Sequence, residues 1–219
     1  IKFIDNSNGL VKYETKLKHG WWGSCNFNYY IPFNIKIEDE HKNNLLDYSL
    51  NLENKSVLIE YDANSLGDQL AWMPIIEQFR KKNNCKLSVK IPLYKIFEKK
   101  YPQIKFVQNI NEDYFAVYKI GWYVDNKNGY NIDRHKLDPR KQPLQKIASD
   151  YLGLEYVAER PLLDFKIDNP PINKKYVVIA TQSTSQAKYW NYDSGWEIVT
   201  DYLKNKHNFE VICIDQHRI

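Results

Sequence analysis

The feature that most constrains the fold is the run from Ser56 to Ile91. In it the apolar segment SVLIEYD is followed by the short polar turn NSLGD, the helix-patterned DQLAWMPIIEQFRKK and a second apolar segment, KLSVKI. A compact apolar run, a turn and an amphipathic stretch leading to another apolar run spell a strand, a helix and a parallel strand. The alternation continues with LYKIFEKKYP as a short helix ended near Pro102, IKFVQ as a strand, and YFAVYKIGWYV as one more β segment. Strands alternating with helices imply a parallel α/β sheet, so this stretch is expected to be Rossmann-like. PLQKIASDYLG then reads as a helix with Pro143 at its start and Gly153 just past its end.

Two further regions flank this unit. From Ile1 to about Ile37 the residues alternate in short β-like runs, LVKYETKL and NYYIPFNIKI, which points to a small leading sheet. Trp21 and Trp22, among turn residues between those runs, are expected to plug its core. The polar stretch from Glu38 to Lys55 reads as a connection, and that from Asp125 to Lys141 as an exposed loop near a ligand. After the proline-containing linker DNPPINKK the pattern restarts: YVVIAT as a buried strand, QSTSQAKYWNYD as a polar loop, SGWEIVTDYLKNK as a helix and FEVICID as a strand. The expected domains are therefore residues 1–40, a small β domain; 54–166, an N-terminal Rossmann-like domain; and 174–219, the first β-α-β unit of a second Rossmann-like domain that would continue further.

In open α/β sheets ligands bind at the carboxyl ends of the strands, which selects two loops. In the first, Gly67 allows a tight turn and close approach of a ligand, and Asp68 stands at the mouth of a helix, either as a group facing the cleft or as an N-cap. In the second, Thr181 to Trp190, the hydroxyls of Ser183 and Thr184 and the ammonium of Lys188 lie between a strand end and a helix start. That combination suits a diphosphate, while a solvated polar loop with Trp190 packed beneath it is the plainer reading. Neither G-x-x-x-x-G-K-[ST] nor G-x-G-x-x-G occurs, which disfavours a kinase or dehydrogenase.

The remaining chemistry is sparse. Cys25, Cys85 and Cys213 are widely spaced and read as reduced, partly buried thiols. His19, His41, His135, His207 and His217 lack metal-ligand spacing and read as surface residues, and no metal site is expected. Asp125, Asp133, Arg134 and Asp138 are candidates for contact with an acceptor, although a solvated loop explains them as well. The net charge of +4 is scattered, which disfavours a nucleic-acid partner. No apolar stretch has the length of a membrane span, and the opening residues lack the order of a secretory signal, so a cytoplasmic location is expected.

The wording SLGDQLAWMP, followed a domain later by TQSTSQAKYWNY and preceded by GLVKYETKLKHGWW and NYYIPFNIKI, resembles the bacterial autotransporter heptosyltransferases, relatives of the lipopolysaccharide heptosyltransferases. The resemblance implies a GT-B fold of two Rossmann-like domains and transfer of heptose from ADP-heptose to Ser or Thr hydroxyls of an autotransporter adhesin, with inversion and without a metal in the transfer step. It implies Asp68 as general base, and Lys188 with Ser183, Thr184 and Gly67 at the diphosphate. It also implies that the nucleoside-binding residues, and the cysteines associated with iron in that family, lie beyond Ile219; a homo-oligomer is compatible with it. A lipopolysaccharide-core enzyme would share Asp68 and Lys188 but starts directly with its first Rossmann strand, and a non-catalytic binding module is the alternative from another class.

Overall fold

The structure is a computed structural model that describes residues 1–27, 29–123, 129–165, 172–183 and 186–215. It divides into two compact units, Ile1–Phe165 and Lys166–Ile219.

The first unit opens with β1 (Lys2–Asp5), β2 (Leu10–Glu14), β3 (Phe33–Glu38) and β4 (Asn44–Ser49), an antiparallel sheet in the order β2-β1-β3-β4. The segment expected to be a connection thus carries a strand, β4. Its residues, among them the exposed Leu45, Leu46 and Tyr48, do not alternate strictly, because an edge strand with both faces wet needs no apolar alternation. The sheet's interior is a small aromatic cluster, with Phe3 5.7 Å from Phe33 and 5.9 Å from Tyr13 between ring centres. Trp21 and Trp22 are not its plugs: they are 68% and 82% exposed.

The Rossmann-like part follows as β5 (Ser56–Asp62), α1 (Leu66–Asn83), β6 (Lys86–Lys90), β7 (Lys105–Phe106), β8 (Ala116–Gly121) and α2 (Leu144–Leu152). Its strands are all parallel, in the order β7-β6-β5-β8. Val57, Leu58 and Ile59 are fully buried because the sheet is covered on both faces at that point, as an unbroken apolar run requires. Trp72, Ile75, Ile76 and Phe79 of α1 form the core with Val57, Ile59, Leu87, Val89 and Ile147. The Trp72 indole N–H donates to the Leu144 carbonyl at 2.8 Å, tying α1 to α2. The helix expected over residues 93–102 shrinks to a short 3₁₀ turn at Tyr94–Ile96.

Tyr30 fastens the leading segment to α2. Its N–H donates to the Asp150 carbonyl at 3.3 Å, and its ring covers Gly153 so closely that a Cβ there would lie 2.3 Å from it. Gly153 also has φ +64°, so both space and backbone call for glycine at this helix end.

The second unit contains β9 (Tyr176–Ile179), α3 (Gly195–His207) and β10 (Glu210–Cys213), with β9 and β10 parallel. The strand expected to be buried, β9, alternates between exposed and half-buried residues, since one helix cannot cover both faces of a two-stranded sheet.

Candidate active site

Asp68 stands at the carboxyl end of β5, where the chain turns into α1. Ser65 caps the helix: its hydroxyl accepts the Asp68 N–H at 3.2 Å. The capping role that Asp68 could have filled therefore belongs to Ser65, and Asp68 is the third residue of the first turn. The half-exposed Asp68 carboxylate has no hydrogen bond or ion pair among the described residues. Gly67 does not make a tight turn. It lies within α1 without positive φ, and a Cβ placed there meets nothing within 4 Å, so the space in front of the helix is open.

Gln69 holds this turn in place, a role its position beside Asp68 did not advertise. It is fully buried, donates from Nε2 to the Asn64 and Ser65 carbonyls at 3.1 and 3.3 Å, and accepts the Leu93 N–H through Oε1 at 2.9 Å. A buried amide that spends both ends on backbone locks the loop after β5 to the loop after β6.

Beside Asp62, at the end of β5, lies a nest of rings built on His135. The histidine is 3% exposed, which overturns its assignment to the surface. Its Nε2 accepts the Tyr123 N–H at 3.0 Å, and its ring meets Tyr123, Tyr130, Tyr151 and Trp122. Burial holds its pKa below the ordinary histidine range, which suits an imidazole that must stay neutral to accept. Burial, aided by Asp62, pushes the Tyr123 phenol up to about 12. Arg134 lies over the Tyr123 ring, 4.6 Å from its centre. Asp138 is spent on Arg140, at 2.9 and 2.8 Å, and the Asp133 N–H closes a turn onto Asn131; Asp125 lies outside the described residues.

In the second unit the loop after β9 is organised by Asp215, a residue without a motif of its own that stands just past the end of β10. Its carboxylate accepts the Thr181 N–H at 2.9 Å, the Gln182 N–H at 3.0 Å and the Thr181 hydroxyl, with the Cys213 thiol at 2.9 Å. These bonds, the thiol's first, hold its pKa well below the usual carboxylate range. The Tyr189 hydroxyl donates to the Ser183 carbonyl at 3.2 Å, closing the loop's far side. Lys188 ends a 3₁₀ turn, exposed and without an ion pair among the described residues. Ser183 is exposed and Thr184 lies outside the described residues. Trp190 is stacked on Tyr192 at 6.0 Å and edge-on to Trp196 at 5.1 Å, remaining partly exposed.

Among the described residues no three His, Cys, Asp or Glu side chains come together as metal ligands. Cys25 is half-buried, Cys85 buried and Cys213 exposed, a correction for the last. No described helix is long and apolar enough to cross a membrane.

No protein-family model matches the chain. It is 34% identical over 224 residues to the autotransporter heptosyltransferase Aah of Escherichia coli, covering 99% of this chain and 55% of Aah. Against the crystal structure of TibC, a bacterial iron-containing dodecameric glycosyltransferase from enterotoxigenic E. coli, the TM-score is 0.86 at 30% identity, covering 99% of this chain and 56% of TibC. A second structure of TibC is a complex with ADP-D-beta-D-heptose. BimC of Burkholderia thailandensis, an inactive autotransporter heptosyltransferase, is 27% identical over 193 residues, or 85% of this chain and 44% of BimC. The chain thus spans about half the length of the curated relatives it matches. The likeness to TibC bears out the mixed α/β, GT-B-like fold expected from the sequence. Over nearly its whole length the chain is related to the bacterial autotransporter heptosyltransferases.

Proposed function

We propose that the protein carrying this chain transfers heptose from ADP-heptose to Ser or Thr hydroxyls of an autotransporter adhesin, inverting the anomeric centre. The observation that carries the proposal is the 0.86 TM-score to TibC over 99% of the chain, a protein also solved with ADP-D-beta-D-heptose.

In this reaction Asp68 takes the proton of the acceptor hydroxyl as its oxygen attacks the anomeric carbon, and the bond from that carbon to the diphosphate oxygen breaks. Its carboxylate, unpaired among the described residues and held at a helix start by the Ser65 cap and Gln69, supports that role. Lys188 offsets the charge that develops on the departing ADP, with the Ser183 and Thr184 hydroxyls beside it and Gly67 leaving room for the donor. Assembly into a homo-oligomer and a cytoplasmic site of action belong to the same reading, the former by analogy with dodecameric TibC. TibC is iron-containing, and among the described residues here no group of three metal ligands comes together.

A non-catalytic binding module is the second reading, favoured by the likeness to inactive BimC. The two separate when the full-length protein is incubated with ADP-heptose and an adhesin fragment and the fragment's intact mass is followed. Stepwise heptose additions, lost in Asp68→Ala, are the expected result. An unmodified fragment, together with no protection of the protein by ADP-heptose against thermal unfolding, would sink the transferase.

A further inference from the structure

Three consecutive residues of β8, Val117, Tyr118 and Lys119, line one open cavity of about 610 Å³. Successive side chains of a strand point to opposite faces, so a cavity that reaches three in a row runs along the strand's edge. β8 is the outermost strand of its sheet and pairs only with β5. The Phe115 N–H is spent on the Ser56 carbonyl. By the two-residue period Val117 and Lys119 also face β5, which leaves the N–H and C=O groups of Ala116 and Tyr118 directed outward; those of Ile120 point the same way but the residue is fully buried. No main-chain partner meets these groups among the described residues.

The opposite wall comes from the leading sheet, through Phe33, Ile35 and Tyr48, and from Leu50 just past it. Tyr151 contributes to the wall from α2 and is 4% exposed. Two cations, Lys119 and Arg134, line the cavity and no carboxylate does; outside it Lys119 makes a long ion pair with Glu60 at 3.8 Å and Arg134 lies over the Tyr123 ring.

We propose that this cavity holds an extended stretch of acceptor polypeptide, added as a further strand to the free edge of β8. The peptide bonds to the outward main-chain groups of Ala116 and Tyr118, and sets an acidic side chain against Lys119 or Arg134. The inference rests on the reading of the protein as a transferase that acts on polypeptide hydroxyls. The topology agrees with it, because β5 and β8 run parallel with Asp62 opposite Gly121, and Asp68 follows Asp62 at that same end of the sheet. A peptide laid along β8 therefore leads to the end of the sheet where Asp68 stands.

The test is fluorescence anisotropy of the full-length protein with a labelled Ser/Thr-rich peptide of about ten residues carrying one aspartate, compared with the same peptide N-methylated at every second residue. The unmodified peptide is expected to bind, and N-methylation or Val117→Trp to weaken it at least about tenfold. Lys119→Gln is expected to weaken it about fivefold without lowering the melting temperature, since the Lys119 side chain is mostly exposed. Absence of binding by the unmodified peptide, or equal binding by both peptides and by all variants, overturns the groove. Heptose transfer is read separately. Transfer with an unchanged acceptor KM in Val117→Trp and Lys119→Gln removes the groove and leaves the transferase; groove-dependent peptide binding with no donor protection removes the transferase and leaves the groove.

Discussion

The chain writes the same strand, loop, helix and strand twice, at residues 56–90 and 176–213, and the two copies differ in how they are buried. In the first, β5 has three consecutive fully buried residues and α1 sends Trp72, Ile75, Ile76 and Phe79 into the core. In the second, no hydrophobic side chain among the described residues is buried, and Val178, Ile198 and Tyr202 are among the exposed large ones. A repeated supersecondary unit is thus not a repeated core. The first copy gains its core from neighbours, namely β8, α2 and the segment around Phe97, whereas the second has one helix and two strands.

The sharpest way to break this comparison is a matched pair of truncations. Trp72→Ala is expected to destabilise the first unit by about 3–5 kcal/mol in denaturant titrations, because it empties a fully buried site and orphans the Leu144 carbonyl. Val178→Ala is expected to cost less than about 1 kcal/mol, as exposed positions do. Equal losses would erase the difference between the copies.

Glycines sharpen it next. Gly153→Ala is expected to lower stability by about 1–2 kcal/mol or more, since the left-handed backbone and the Tyr30 ring both oppose a Cβ. Gly67→Ala is expected to raise helix stability by about 0.5–1 kcal/mol while weakening ADP-heptose protection, because the space it would fill is open in the protein. Thermal melts with and without donor read both effects.

Titration separates the two strand ends more gently. The folded pKa of His135 lies below its unfolded value, so its contribution is complete above about pH 6.5 and is lost as pH falls from there through the folded value. Melting temperatures between pH 8 and 5 are expected to decline on the acid side, and the decline to shrink in His135→Gln. Asp215 is depressed as well, so its contribution is complete above about pH 3.9 and fades only below it. Tryptophan fluorescence of the second unit is therefore expected to hold steady between pH 5 and 8, and to change at those pH values only in Asp215→Ala, which loses its hold on Thr181.

Sequence alone determined the order of the elements where one period dominated. SVLIEYD matches β5 residue for residue, and Gly153 lies just past α2 because a helix end that needs φ above zero selects glycine. It also singled out the loop of Asp68 and that of Lys188, since both follow strands whose carboxyl ends face ligands in such sheets. Only the tertiary structure decided what depends on partners distant in the chain. Ser65 rather than Asp68 caps α1, as a cap is settled by one hydrogen bond and not by residue type. Trp21 and Trp22 face solvent and His135 is buried, because burial belongs to the neighbours that fold against a residue and not to its own polarity. Gln69 and Asp215 became visible as loop anchors only once their backbone partners were in place, Leu93 24 residues from Gln69 and Thr181 34 residues from Asp215.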